Sequence, residues 1–176
     1  MDEIINEEPQ EESKFKKVLI IIIALFLLLI FLTYIITNAV GIHILSGLIE
    51  SSKVTNNTID FSFNNQVIFI NNSLEKLQGL WISNPELEFK VCLQGIIEDN
   101  KYVIYDVYQP ETFSQKVNEV VSEPCKKESL IDLHSHPFKH CLPSQQDLIS
   151  FNKFKETQPK ALMAIMCEPN RFTVYD

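Results

Sequence analysis

The sequence predicts an α+β domain, arranged as an αβα sandwich and preceded by one transmembrane helix. Three observations lead there. Residues 18–37, VLIIIIALFLLLIFLTYIIT, hold no charge, no glycine and no proline. Short runs rich in β-branched and aromatic residues follow, bounded by turn residues, which is the pattern of strands. Stretches of helical spacing lie among those strands without strict alternation, which points to α+β.

Residues 1–13, MDEIINEEPQEES, carry six acids and no base and read as a disordered tail. The apolar run comes next. About 20 apolar residues at 1.5 Å rise match the ~30 Å hydrocarbon core of a bilayer. A cleaved signal peptide has an apolar core of about 7–15 residues ending at a small-x-small site. This run is longer and lacks such a site, so residues 14–49 read as an uncleaved anchor and its extension. The extension, NAVGIHILSGLIE, either continues the helix or lies in the membrane interface, and His43 there reads as interfacial. Lys14, Lys16 and Lys17 precede the span and only Lys53 follows within reach. The positive-inside rule then puts the N-terminus in the cytoplasm and the main domain outside.

Residues 50–58, containing SSKVTNNT, read as a polar linker, and residues 59–176 as the soluble domain. Asn56 and Asn71 open N-x-S/T sequons, which matter only if that side faces a glycosylating compartment. QVIFI is a short strand. NNSLEKLQGLWI places Leu74, Leu77, Leu80 and Trp81 at helical spacing, with Ser73 as the expected N-cap and Trp81 in the core. EFKVCLQGII reads as a strand ending near Gly95 and KYVIYDVYQ as another, joined by the turn EDN. TFSQKVNEVVSEPCKKE reads as part helix, part loop. SLIDLHSH is a strand. SQQDLISFNKFKE is a helix with Leu148, Ile149 and Phe151 on its apolar side. KALMAIMCE and FTVYD are the final strands.

The formal net charge is −8. From Asp60 onward sixteen acids face eleven Lys and Arg, a difference of −5, so no basic footprint for nucleic acid exists. Cys92, Cys125, Cys141 and Cys167 contain no CxxC and do not form a zinc ribbon. If the domain faces outside, one or two disulfides are expected; if inside, buried or free thiols.

The stretch LIDLHSHPFKHCLPSQQDLISF holds three of the four histidines. His134 and His136 are two apart on a predicted strand, so both side chains point to one face, about 6.6–7 Å apart along the backbone. Two imidazoles so placed can converge on one metal, while Ser135 points the other way. Asp147, in the first turn of the next helix, is the natural third ligand. Two His and one Asp leave a fourth position for water, the pattern of catalytic rather than structural zinc. Ser144-x-x-Asp147 also reads as an ordinary capping pair at a helix start. Using this composition, His-x-His-x7-Ser-x-x-Asp arises by chance roughly once in several thousand such chains. His140 reads as a solvated loop residue and Cys141 as structural.

HSHPFKHCLPSQQD resembles the motif of the JAMM (MPN+, JAB-domain) zinc metalloproteases, His-x-His-x7-Ser-x-x-Asp, without a mismatch. The family also carries an upstream Glu seven residues before a Gly, and NPELEFKVCLQG places Glu88 so relative to Gly95. Glu86, two positions away, is a rival for that role. The wording is most similar to archaeal JAMM domains, and the resemblance covers residues 66–176 but not the anchor or tail. It implies an MPN/JAB-like αβα sandwich with a cytidine-deaminase-like sheet. It implies one Zn²⁺ on His134, His136 and Asp147, with Glu88 as the proton-transferring base and Ser144 as the oxyanion donor. The implied activity is hydrolysis of a peptide or isopeptide bond in a protein substrate, ubiquitin-like conjugates being among the family's substrates. An outside-facing domain sits oddly with cytosolic substrates of that kind. The alternative is a catalytically inactive MPN-type scaffold that binds protein at the membrane. A DNA-associated relative is disfavoured by the acidic charge.

Overall fold

The structure, a computed structural model, describes residues 14–37 and 39–176, so the tail expected over residues 1–13 lies outside the described residues. The chain divides into two compact units, the first ending at Ile42 and the second running from His43 to Asp176. In the first, α1 (Lys14–Thr37) is a continuous helix, and its stretch Lys14–Ile36 is long and apolar enough to cross a membrane. Its side chains are exposed on every side through Ile36. A helix apolar all round has no polar face to give to water, and its exposed surface suits lipid.

The helix α2 (Ala39–Glu50) leads into the second unit. There follow β1 (Ser52–Lys53), β2 (Thr58–Ser62), β3 (Asn65–Phe69), α3 (Ser73–Ser83), β4 (Lys90–Glu98), β5 (Lys101–Tyr108), β6 (Thr112–Gln115), β7 (Val120–Ser122), β8 (Ser129–Ser135), α4 (Gln145–Thr157), β9 (Leu162–Glu168) and β10 (Arg171–Tyr175). Eight strands form one sheet in the order β1-β10-β9-β8-β4-β5-β3-β2, and β6 and β7 pair as a separate hairpin. The pairs β8–β9 and β3–β5 are parallel and the others antiparallel, so the domain is α+β.

Alternation along the central strands sorts side chains to the two faces. Val91, Leu93, Ile131, Leu133, Ala164 and Met166 pack with Leu74 and Leu77 of α3 in the larger core. Cys92 and Met163, on the opposite parity, pack with Phe151 and Phe154 of α4. One helix therefore covers each face. The apolar side expected for α4 is corrected in detail: Phe151 is buried with Phe154, whereas Leu148 and Ile149 are more than two-fifths exposed.

Three further expectations are corrected. The linker over residues 50–58 is partly sheet, because Ser52 and Lys53 pair with Phe172 and Arg171 and Thr58 opens β2. The Arg171 guanidinium fixes that segment by donating to the carbonyls of Leu48 and Ser51 and to Ser51 Oγ. The stretch read as part helix is the β6–β7 hairpin, in keeping with β-branched Thr112, Val120 and Val121. Ser73 is not the N-cap of α3. Asn72 holds that position in a left-handed conformation, while Ser73 Oγ donates to the Ile104 carbonyl at 3.0 Å inside the core.

Turn chemistry explains the β4–β5 connection, where Asp99 and Asn100 have φ of 45° and 64°, a region that Asp and Asn tolerate. Gly95 is demanded by space. A Cβ there would lie 2.3 Å from the Val103 carbonyl oxygen, where the β4–β5 register shifts.

Candidate functional site

The site is assembled at the ends of β4 and β8 and the start of α4. His134 ends up opposite Lys90 in the antiparallel β4–β8 pairing, and opposite Ile165 on the other side. Ser135 points to the opposite face, as expected. Its hydroxyl accepts from Phe89 N at 2.8 Å and its own N–H donates to Phe89 O at 2.9 Å. Those two bonds hold the residue after Glu88 beside the histidine pair. The Glu88 N–H donates to Lys116 O of the β6–β7 hairpin at 2.9 Å, so the Glu88 backbone is gripped from both sides. Glu88 lies two residues before β4 rather than in it. Its rival Glu86 sits in an exposed turn and is absent from the lining of the site's cleft.

The five residues singled out in the sequence come together. His136 Nε2 lies 3.1 Å from Asp147 Oδ2 and 3.7 Å from Glu88 Oε1. His134 Nδ1 lies 3.3 Å from Asp147 Oδ1. None of these approaches has hydrogen-bond geometry for the imidazoles. His134 Nδ1 and both ring nitrogens of His136 are buried without a hydrogen-bond partner. Among the described residues, no group of three or more His, Cys, Asp or Glu side chains has its donors set as for a bound metal ion. The Asp147 carboxylate instead lies directly against both rings.

Ser144 N-caps α4 and forms a complete capping box with Asp147. Its N–H and its hydroxyl each donate to Asp147 Oδ2 at 2.7 Å, and the Asp147 N–H donates to Ser144 Oγ at 3.2 Å. The capping pair expected on ordinary grounds is thus present, and the same carboxylate faces both histidines.

Charge follows this geometry. Burial pushes the Glu88 carboxyl up to about 7; the nearby His136 and His134 pull against that rise and Asp147 adds to it. Burial would also raise Asp147, but the two imidazoles against it and the hydrogen bond from the Ser144 hydroxyl hold it well below the usual carboxylate range. His136 is desolvated, which lowers it, yet Asp147 and Glu88 more than compensate and raise it.

Two residues that sequence reasoning missed complete the cluster. Asp132 is buried and sends Oδ2 to Lys90 Nζ at 2.9 Å and Oδ1 to within 3.3 Å of His134 Nε2. Burial works against its charged form, but His134 and Lys90 outweigh it and lower its pKa. A signal existed: Asp132 and His134 are two apart within β8 and His136 continues that period just past it, as Glu88 does before Lys90 of β4, so extended backbone turns each set to one side.

Glu88, His134, Ser144 and Asp147 line a cleft of about 510 Å³ whose far side is the hairpin, through Lys116 and Glu119. His140 is exposed, with its ring 5.8 Å from His136 and 6.4 Å from His43. Cys141 is fully buried in a disulfide with Cys167, and Cys92 pairs with Cys125. The loop from Pro137 to Pro143 is therefore tethered to β9. Its Phe138 and Lys139 adopt φ of 60° and 61°, a strained region for such side chains. The Cys141 carbonyl accepts from Thr173 Oγ1 at 2.7 Å, and a Cβ on Gly47 would come within 3.0 Å of Cys141 Cβ, so α2 rests on this loop.

No protein-family model matches the chain, and no curated protein matches it either.

Proposed function

We propose that the chain is a membrane-anchored zinc metallopeptidase of the JAMM type with an MPN-like fold, hydrolysing peptide or isopeptide bonds of a protein substrate. The observation that carries this reading is the meeting of His134, His136 and Asp147 with Glu88 at one end of an open cleft. Buried imidazole nitrogens without partners are costly, and a cation would satisfy one on each ring. Tetrahedral zinc with bonds of ~2.0–2.1 Å spaces its donors about 3.3 Å apart. Asp147 Oδ1 lies 3.3 Å from His134 Nδ1 and Oδ2 lies 3.1 Å from His136 Nε2, so each ring has a carboxylate oxygen at about that spacing, and a small turn of the carboxylate would bring one oxygen to both.

Zinc held by these three residues would supply Lewis acidity and a water of lowered pKa. Glu88, buried beside the histidine pair, would accept a proton from the attacking water and pass it to the leaving amine. Ser144 would turn its hydroxyl from Asp147 toward the developing oxyanion. Asp132 would hold the His134 ring in orientation from behind.

The two disulfides support an oxidising surrounding for the domain, in agreement with the lysines that precede the span. That location favours a protein substrate other than a cytosolic ubiquitin-like conjugate.

One observation favours the second reading, an inactive protein-binding scaffold. Ser144 and Asp147 form a closed capping box, and among the described residues no donor group is set as for a metal. Metal content decides between the two. The full chain, purified in detergent and exposed to zinc, is expected to keep one zinc per chain and to lose it in His134→Ala. Glu88→Gln is expected to keep the zinc and lose cleavage of a mixed peptide library. A wild-type chain that retains no zinc leaves the scaffold standing.

A further inference from the structure

A second cleft, of about 610 Å³, opens beside the first, and the two share Ser150 of α4. Its lining is basic: Lys126, Lys127, Lys153 and the buried Lys90, with Asp132 as the acid. Asp132 is already neutralised by Lys90 at 2.9 Å. The other three lysines are exposed and form no ion pair among the described residues. Lys126 is steadied over the Tyr108 ring, with its Nζ 5.3 Å from the centroid. Glu123 and Glu128 flank Lys126 and Lys127 in sequence but neither lines this cleft, so its lining is basic within a region where acids outnumber bases by five from Asp60 onward.

Position gives the cluster its meaning. Along α4, Asp147 faces the first cleft, Ser150 both, and Lys153 the second, one helical turn apart at each step. A chain lying in the first cleft would direct a neighbouring side chain along α4 into the basic one. We propose that this second cleft is a specificity subsite that takes an acidic side chain of a bound peptide, with Lys126, Lys127 and Lys153 as its recognition residues. The inference rests on the peptidase reading for its place beside the scissile bond, but binding itself needs no metal.

The test uses the full chain in a non-ionic detergent, stripped of metal by chelator. Fluorescein-labelled hexaglutamate and hexaglutamine are titrated by anisotropy at low salt. Three partly screened contacts should make hexaglutamate bind about tenfold tighter. The variant Lys126→Gln/Lys127→Gln/Lys153→Gln should erase that preference with unfolding unchanged, since all three side chains are exposed. Equal binding of the two peptides, or a preference that survives the triple variant, overturns the proposal. So does displacement by inorganic phosphate far better than by free glutamate, which would reassign the cleft to phosphate-bearing groups. Failure of the peptidase reading looks different: the zinc-loaded chain cleaves nothing while the lysine-dependent preference persists.

Discussion

The buried pair Lys90–Asp132 gives the sharpest test of how the site is supported. Its side chains are 8% and 4% exposed and their charged atoms 2.9 Å apart. At an effective dielectric of about 20, that separation corresponds to a gross attraction of about 6 kcal/mol. Most of this is offset by desolvation of both groups, so the pair itself adds little net stability. Removing one partner is different, because it leaves an uncompensated charge inside the fold. Asp132→Ala should therefore lower the unfolding free energy by about 3–5 kcal/mol. The double change Lys90→Met/Asp132→Leu removes both charges and should stay within about 2 kcal/mol of wild type. On the proposed zinc-peptidase reading, metal affinity should not follow stability. Both variants deprive His134 Nε2 of its carboxylate neighbour, and each should bind zinc about 10–100-fold more weakly. Urea unfolding of the full chain in detergent can be read from its single tryptophan, Trp81, whose ring stands edge-on to Phe89 at 6.4 Å. Competition with a chelating dye reads the metal. If Asp132→Ala unfolds like wild type, the ion pair is not buried as described. If the double variant binds zinc as tightly as wild type, Asp132 does not position His134.

Other outcomes follow from single contacts. Gly95→Ala puts a methyl 2.3 Å from a backbone oxygen in the sheet centre and should cost about 3 kcal/mol or more; a loss below about 0.5 kcal/mol would mean the strands can part freely there. Cys92→Ser/Cys125→Ser opens a link between residues 33 apart and should cost about 3.5 kcal/mol from loop closure. Maleimide labelling of the denatured chain before and after reduction checks that these cysteines are bonded, and labelling without reductant would refute it. Ser144→Ala removes the side-chain bonds to Asp147, so about 1 kcal/mol of stability should go with the cap. If its hydroxyl also serves the oxyanion, turnover should fall about 10²–10³-fold with zinc content unchanged.

What could be read from the chain alone is what depends on short spacing. The apolar run needs only its own length to announce α1. The period-two placement of His134 and His136, and the Ser144–Asp147 step into α4, put these side chains near one another whatever surrounds them. Sheet partners could not be read, because strand neighbours are chosen by burial summed over the whole domain. That choice set Lys90 opposite His134, brought Glu88 beside His136, and made β1 out of a stretch that looked like linker. It also selected one pairing of four cysteines where three are possible, and folded an ambiguous segment into the hairpin above the cleft. The local pattern thus determines which groups are available for chemistry. Only long-range packing, which weighs desolvation against partners far apart in sequence, decides which of them meet and which charges they must carry.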